Sequence, residues 1–180
     1  MKKIKNKGFT LIEMLVVLMI IGILMGISIM SYGTLRDKAR TTNANTTAKG
    51  LAEAWNLYLL ANGYFPSNAD FANANLTQNP TGWYVTDEKF VEWRRTFNPT
   101  FHFNISREEE AKKSKTGGTG FIDPWKNFYR FKLDPGLQNG TGMDGELDNP
   151  VTGDPIKTVV LVWSFGRDGE KGTTDDIVAW

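Results

Sequence analysis

The chain has 180 residues, 21 Lys and Arg against 20 Asp and Glu, a net charge of +1, no Cys and one His. That balance excludes nucleic-acid binding driven by bulk charge, which needs a basic surface to gather phosphates. The lack of Cys excludes disulfide scaffolds, thiol catalysis and Cys-ligated zinc, and a lone His excludes both a His-rich metal site and an H-E-x-x-H helix. Charge is uneven along the chain. Lys2, Lys3, Lys5 and Lys7 stand in a leader without an acid, which leaves the remainder at net −3. Mean hydropathy is −0.34 in spite of one long apolar run, so the rest is hydrophilic.

That run, Phe9 to Met30, carries a single charge, Glu13. As a helix it extends about 33 Å, enough to cross a hydrocarbon core of about 30 Å. The leading lysines keep their end in the cytoplasm and send the body outward. Arg36, Lys38 and Arg40 on the far side weaken that bias without reversing it. A secretory signal peptide cut after Gly33 is one reading, but the run exceeds the usual apolar length of about 7–15 residues. A plain anchor accommodates the length and leaves Glu13 unexplained. A lone acid in a membrane helix is costly, and that cost points to a function.

Lys7-Gly8-Phe9-Thr10-Leu11-Ile12-Glu13, followed by the apolar run, resembles the class III signal of type IV pilins and type II secretion pseudopilins. The resemblance implies a leader, 1–8, removed by a prepilin peptidase that cuts after Gly8 and methylates the new amine of Phe9. The apolar helix, 9–30, is then kept as a transmembrane and assembly segment. It also assigns Glu13 a role in assembly, pairing with the Phe9 amine of a neighbouring subunit and neutralising two costly charges. A Glu13 that merely reaches the headgroups is the alternative for an isolated chain.

Beyond the membrane the spacing of Ala48, Leu51, Ala52, Trp55, Tyr58 and Leu59 predicts an amphipathic continuation of the helix over 31–63. Asn62-Gly63 supplies its stop. Residues 64–120 read as a variable region of loop and short helix. Asn, Thr, Gly and Pro predict loop up to Gly82. Asp87 caps a short helix with Phe90, Val91 and Trp93. Ser106 with Glu109 fits a capping box opening a charged turn over Glu108 to Lys115. Gly117-Gly118-Thr119-Gly120 lacks the Lys-Ser/Thr of a phosphate loop and reads as a linker. From 121 to 180 strands are predicted: Tyr129, Phe131 and Leu133 alternate with Arg130 and Lys132, Val159 to Phe165 is a central apolar run, and Ile177 to Trp180 a last short strand. The expected class is α+β, a long N-terminal helix, membrane-spanning in its first half, packed on a small antiparallel sheet as in pilins.

The stretch from Ser164 to Asp176 combines glycines with carboxylates, hard oxygens of the kind Ca²⁺ prefers, although a polar hairpin turn uses the same residues. Asp123-Pro124-Trp125-Lys126-Asn127-Phe128-Tyr129 resembles the Asp-Pro-Trp-Gly-Asn-Pro-Tyr segment of the major-pseudopilin family. Ser164 to Gly169 with Asp175-Asp176-Ile177 and Trp180 resembles that family's calcium loop. The resemblance implies a calcium cofactor with side-chain ligands Asp168 and Asp175 and the carbonyl of Phe165. Asp176 is then a further ligand or a supporting group. This loop is shorter between its acids than the family pattern, and no family motif covers 67–120. Asp144 to Asn149 is acidic but lacks the Gly and Glu of an EF-hand, and reads as a solvated inter-strand loop. His102 has no Cys and no G-x-S-x-G elbow to work with, so no enzyme is expected.

The resemblance therefore implies a structural subunit of a type II secretion pseudopilus. It is anchored singly in the inner membrane, with its C-terminal domain in the periplasm or on an extracellular filament. Its implied partners are the prepilin peptidase, copies of itself, other pseudopilins and an inner-membrane assembly platform, and no nucleic acid. Alternatives are a type IV pilin of a surface fibre, serving adhesion, motility or DNA uptake, and a membrane-tethered binding module that does not polymerise.

Overall fold

The computed structural model describes residues 9–78, 82–97, 103, 111–136 and 145–180; the side chains at 27–31, 96 and 97 lie outside that description. Helix α1, Leu11–Asn62, is 52 residues long. The chain divides into two compact units, Met1–Ala39 and Arg40–Trp180.

In the first unit the apolar side chains face outward on every side. Phe9, Leu11, Ile12, Leu18 and Met25 are among the exposed ones. Among the described residues no helix is long and apolar enough to cross a membrane; the described side chains of this stretch stop at Gly26 and resume at Tyr32.

In the second unit α1 passes through a polar segment of poor helix formers. The Asn45 amide donates to the Thr41 carbonyl (3.0 Å) and the Thr46 hydroxyl to Thr42 (3.0 Å), competing with the backbone ladder. Packing holds the helix there: Ala44 and Ala48 are fully buried, and the Tyr129 hydroxyl donates to the Ala44 carbonyl at 3.1 Å. The predicted face is the buried one, from Ala48 through Tyr58, with Leu59 half-buried. Trp55 is its centre. Its ring lies 4.9 Å from Phe131, 5.6 Å from Trp93 and 6.0 Å from Phe65, centroid to centroid. The helix ends as expected, with Gly63 at φ 80° and its amide on the Leu59 carbonyl.

The main sheet has four antiparallel strands, β1 (Tyr84–Val85), β2 (Arg130–Leu133), β5 (Val160–Ser164) and β6 (Ile177–Ala179), in the order β1-β2-β5-β6. Phe131 pairs with Val162 and Leu133 with Val160, and these four, with Ile177 and Ala179, share the core cluster of Trp55. Every residue of β5 is buried, because both faces of the strand are covered. On the far face Leu161 and Trp163 pack with Leu147, Ile156 and Trp83. Leu147 and Ile156 belong to a small hairpin, β3 (Leu147–Asp148) paired with β4 (Pro155–Ile156). The acidic stretch expected to be a solvated loop is thus partly strand, and the buried Leu147 is what draws it onto the sheet.

Four further expectations change. Residues 68–73 form helix α2, Asn68–Asn73, opened by a capping box in which the Ser67 amide donates to Asp70 (2.8 Å) and the Asp70 amide to Ser67 (3.2 Å). This turn delivers Phe71 to the core, where an expected loop would have left it in solvent. The predicted charged turn does not extend over 111–115, where Lys113 instead bridges Thr119; Ser106 and Glu109 lie outside the described residues. The glycine run is no linker. Gly120 bridges Asp87, and a Cβ there would meet the Thr86 carbonyl oxygen at 2.3 Å, so only glycine fits. The sheet also takes its outer strand, β1, from inside 64–120. Helix α3, Glu88–Phe97, is capped as predicted by Asp87, which accepts from the Lys89 amide at 3.1 Å.

Trp55→Ala should lower the stability of the 40–180 unit by about 3–5 kcal/mol, the cost of deleting a large buried aromatic. Leu60→Ala, on an 87 % exposed side chain, should stay within about 0.5 kcal/mol. Urea unfolding followed by tryptophan fluorescence checks both.

Candidate functional site

Two regions carry the predicted functional residues. At the start of α1 the Thr10 amide and hydroxyl donate to Glu13 Oε2 at 2.8 and 2.7 Å, and the Glu13 amide donates back to the Thr10 hydroxyl at 3.3 Å. Glu13 therefore completes a reciprocal cap on its own helix. The pattern Thr10-x-x-Glu13 is the capping-box signature and is readable in the sequence beside the assembly role. Phe9 is exposed directly before it, and Gly8 lies outside the described residues.

The second region is the loop that joins β5 to β6. Gly166 has φ 59°, and a Cβ there would meet the Asp175 carbonyl oxygen at 2.1 Å, so the loop closes on itself only through glycine. Inside that closure Asp175 Oδ2 accepts from the amides of Arg167 and Asp168, and Oδ1 from the Thr173 hydroxyl at 2.8 Å. Burial works to raise the Asp175 carboxyl. The hydrogen bonds from Thr173, Asp168 and Arg167 outweigh it and hold the group below the usual carboxylate range. Its contribution to stability is thus present at neutral pH and is lost as the pH falls through that depressed value.

The structure brings the carboxyl of Asp168 within hydrogen-bonding reach of Asp175. Two such carboxylates repel unless a proton or a cation lies between them, so this pair fits a hard cation. The Phe165 carbonyl accepts from the Gly169 amide at 3.1 Å, which leaves it a second lone pair. Asp176 is held differently. Its Oδ2 accepts from the amides of Gly172 (2.7 Å) and Thr173 (3.3 Å), while Oδ1 is buried and without a partner. Burial, joined by the charges of Asp175 and Asp168, raises this carboxyl in spite of the two amides. Among the described residues no cluster of three or more Asp, Glu or His side chains is arranged to hold a metal ion.

The loop is seated on the 123–129 turn. Asp123 is buried, and its Oδ1 accepts from the amides of Trp125 and Asn127, both at 2.8 Å. Its Oδ2 accepts from the Ser164 hydroxyl at 2.6 Å, and the Asn127 side chain donates to the Gly166 carbonyl. Burial raises the Asp123 carboxyl against these hydrogen bonds. Beside it the guanidinium of Arg130 lies 3.7 Å from the centre of the Phe165 ring, and burial lowers its pKa to about 10. The sequence pattern misses this arginine, because alternation marks it only as an outward strand residue.

Compared with known proteins, residues 3–29 match the prokaryotic N-terminal methylation motif. The type II secretion system core protein G of Pseudomonas aeruginosa is 30 % identical over 183 residues, covering 100 % of this chain and 99 % of that protein. The chain belongs to the family of that core protein. The Aeromonas hydrophila core protein G is 28 % identical, with 100 % of this chain and 96 % of the relative covered. The type IV major pilin PilE of Neisseria gonorrhoeae is 27 % identical over 79 % of this chain and 89 % of its own. No solved structure matches.

Lys126, at the glycine position of the segment that 123–129 resembles, adopts φ 74°, the left-handed region. Its amide donates to the Asp123 carbonyl at 3.0 Å, so the conformation belongs to the turn and not to the side chain. Lys126→Gly should therefore stabilise the 40–180 unit by about 0.5–1 kcal/mol, the left-handed cost of an L-residue less the greater chain entropy of glycine. Thermal denaturation of the two proteins side by side measures it.

Proposed function

We propose that the chain is the structural subunit of the pseudopilus of a type II secretion system. The observation that carries this reading is the pairing of one methylation motif with an apolar helix exposed on every side, on a chain that family members match from end to end. Such a helix cannot stay in water. In sequence the apolar run continues through 27–30, and the stretch Phe9–Met30 is placed in the inner membrane before assembly and against neighbouring helices afterwards. The prepilin peptidase removes 1–8 and methylates Phe9. The body then sits in the periplasm, and the partners are further copies, other pseudopilins and the inner-membrane assembly platform. The chain acts by polymerising and is not an enzyme. A surface-fibre type IV pilin is the second reading, favoured by the gonococcal pilin; its 79 % coverage of this chain, against 100 % for the Pseudomonas and Aeromonas core proteins, ranks it second.

In this reading Glu13 exchanges its bonds to Thr10 for the Phe9 amine of a neighbour. Glu13→Ala should leave membrane insertion intact, since the helix becomes more apolar. Assembly should fail, because an unpaired charge at membrane depth costs several kcal/mol. Cell fractionation reads the first effect and electron microscopy of filaments from overproducing cells the second. Normal filament yield sinks the assembly role of the carboxylate.

We also propose that Asp168, Asp175 and the Phe165 carbonyl hold Ca²⁺, with Asp176 a supporting group bound to the amides of Gly172 and Thr173 and water completing the six to eight oxygens the ion takes. The ion would supply the positive charge that the Asp168–Asp175 pair calls for. Chelation should lower the melting temperature of the wild-type 40–180 unit, the linkage being worth about 2.7 kcal/mol at a hundredfold excess of free ion over its dissociation constant. Asp168→Ala should melt at the same temperature with calcium and with chelator. Equal wild-type midpoints, with no metal by elemental analysis, reduce the loop to a plain turn.

A further inference from the structure

The loop between β5 and β6 is braced from outside by a residue that no family motif covers. Lys115 lies on the 113–119 hairpin, and its amide donates to the Lys126 carbonyl at 2.8 Å, which fixes the hairpin to the 123–127 turn. From there its ammonium reaches the Arg167 carbonyl at 3.3 Å. The neighbouring carbonyl, Gly166, accepts from the Asn127 side chain. A Cβ built on Gly169 would lie 3.3 Å from Asn127 Oδ1 and 3.5 Å from Lys115 Nζ, so the same two side chains close over the far end of the turn. Consecutive carbonyls of the turn 166–169 are thus both occupied by side-chain donors, one from the 123–127 turn and one from the hairpin fixed to it. One of those donors carries a full positive charge, next to a backbone that also bears Asp168.

We propose that Lys115 is a positioning residue: a cation of the protein's own, tethered to the hairpin, that holds the first turn of the acidic loop. It orients the Arg167 carbonyl through a charge-assisted hydrogen bond. Among the described residues the loop offers a metal fewer than three suitably arranged acidic side chains. The hairpin supplies charge and a donor from outside. The brace stands without any metal. Its consequence, that the loop keeps its first turn when calcium is withdrawn, rests on the calcium reading above.

The test is amide hydrogen exchange on the full chain purified in detergent, in calcium and in chelator, for wild type, Lys115→Met and Lys115→Arg. The amides that report are Arg167, Asp168 and Gly169, each hydrogen-bonded within the loop. Lys115→Met keeps the apolar stem and loses the charge. In chelator it should exchange these amides faster than wild type by about tenfold, the size of losing one hydrogen bond to a charged group. The Tyr129 amide, bonded to the Phe121 carbonyl, should be unchanged. Lys115→Arg, which keeps charge and donors, should restore wild-type exchange. Faster exchange in Lys115→Met with no calcium effect in either protein upholds the brace and removes the calcium reading. Wild-type exchange of Arg167, Asp168 and Gly169 in chelator by Lys115→Met overturns the proposal, as does failure of Lys115→Arg to restore it.

Discussion

The carboxylate of Asp123 is the joint on which the β5–β6 loop depends. It is buried, and it accepts hydrogen bonds from two amides of its own turn and from the hydroxyl of Ser164 at the end of β5. Burial opposes its charge, and only that set of donors makes the ionised form tolerable. The bond to Ser164 fixes where β5 ends, and with it where the β5–β6 loop begins. Asn127, ordered by the same carboxylate, carries the support one residue further to Gly166. A loop of glycines and acids has little to order it alone, and here it inherits order from a buried turn.

A second constraint comes from the solvents the chain meets. One stretch of α1 is apolar all round, and its continuation is apolar on one face. The first needs lipid or other helices around it. The second buries Trp55 among Phe65, Trp93 and Phe131 and leaves the opposite side wet. Between them lies a Thr- and Asn-rich segment of low helix propensity, held helical where Ala44 and Ala48 pack and where Tyr129 bonds the Ala44 carbonyl.

Elements with a strong period or a short local motif are legible in the residues themselves. The α1 face, its stop at Gly63, the Asp87 cap and the strands at 130–133, 160–164 and 177–179 all follow from spacing or from one capping residue. Ser67-x-x-Asp70 is equally local, yet the surrounding Asn and Pro make the segment read as loop. The hairpin at 113–119 and the strand pair of β3 and β4 have no such signal. Each is two bridged residues or little more, and each exists because a distant surface receives it: Thr86 and Asp87 for Gly120, and Leu161 with Trp163 for Leu147. Of the loop, composition marks Asp168, Asp175 and Asp176 alike. The family resemblance sets Asp176 apart from the other two, and the fold gives the reason: its carboxylate is turned onto the amides of Gly172 and Thr173, while that of Asp175 takes the amides of Arg167 and Asp168.

Features that depend on near neighbours are therefore legible in the residues alone. The methylation motif, the single charge in an apolar run and the 3.6-residue stripe further on are each local patterns, read from spacing along the chain without any distant partner. Features that join residues far apart in the chain emerge only when it folds. Asp123 meets Ser164 across 41 positions and Lys115 meets Arg167 across 52. Whether a lysine is a solvated surface charge or the support of a loop is a matter of what lies 3.3 Å from its amine, and no local pattern encodes that distance.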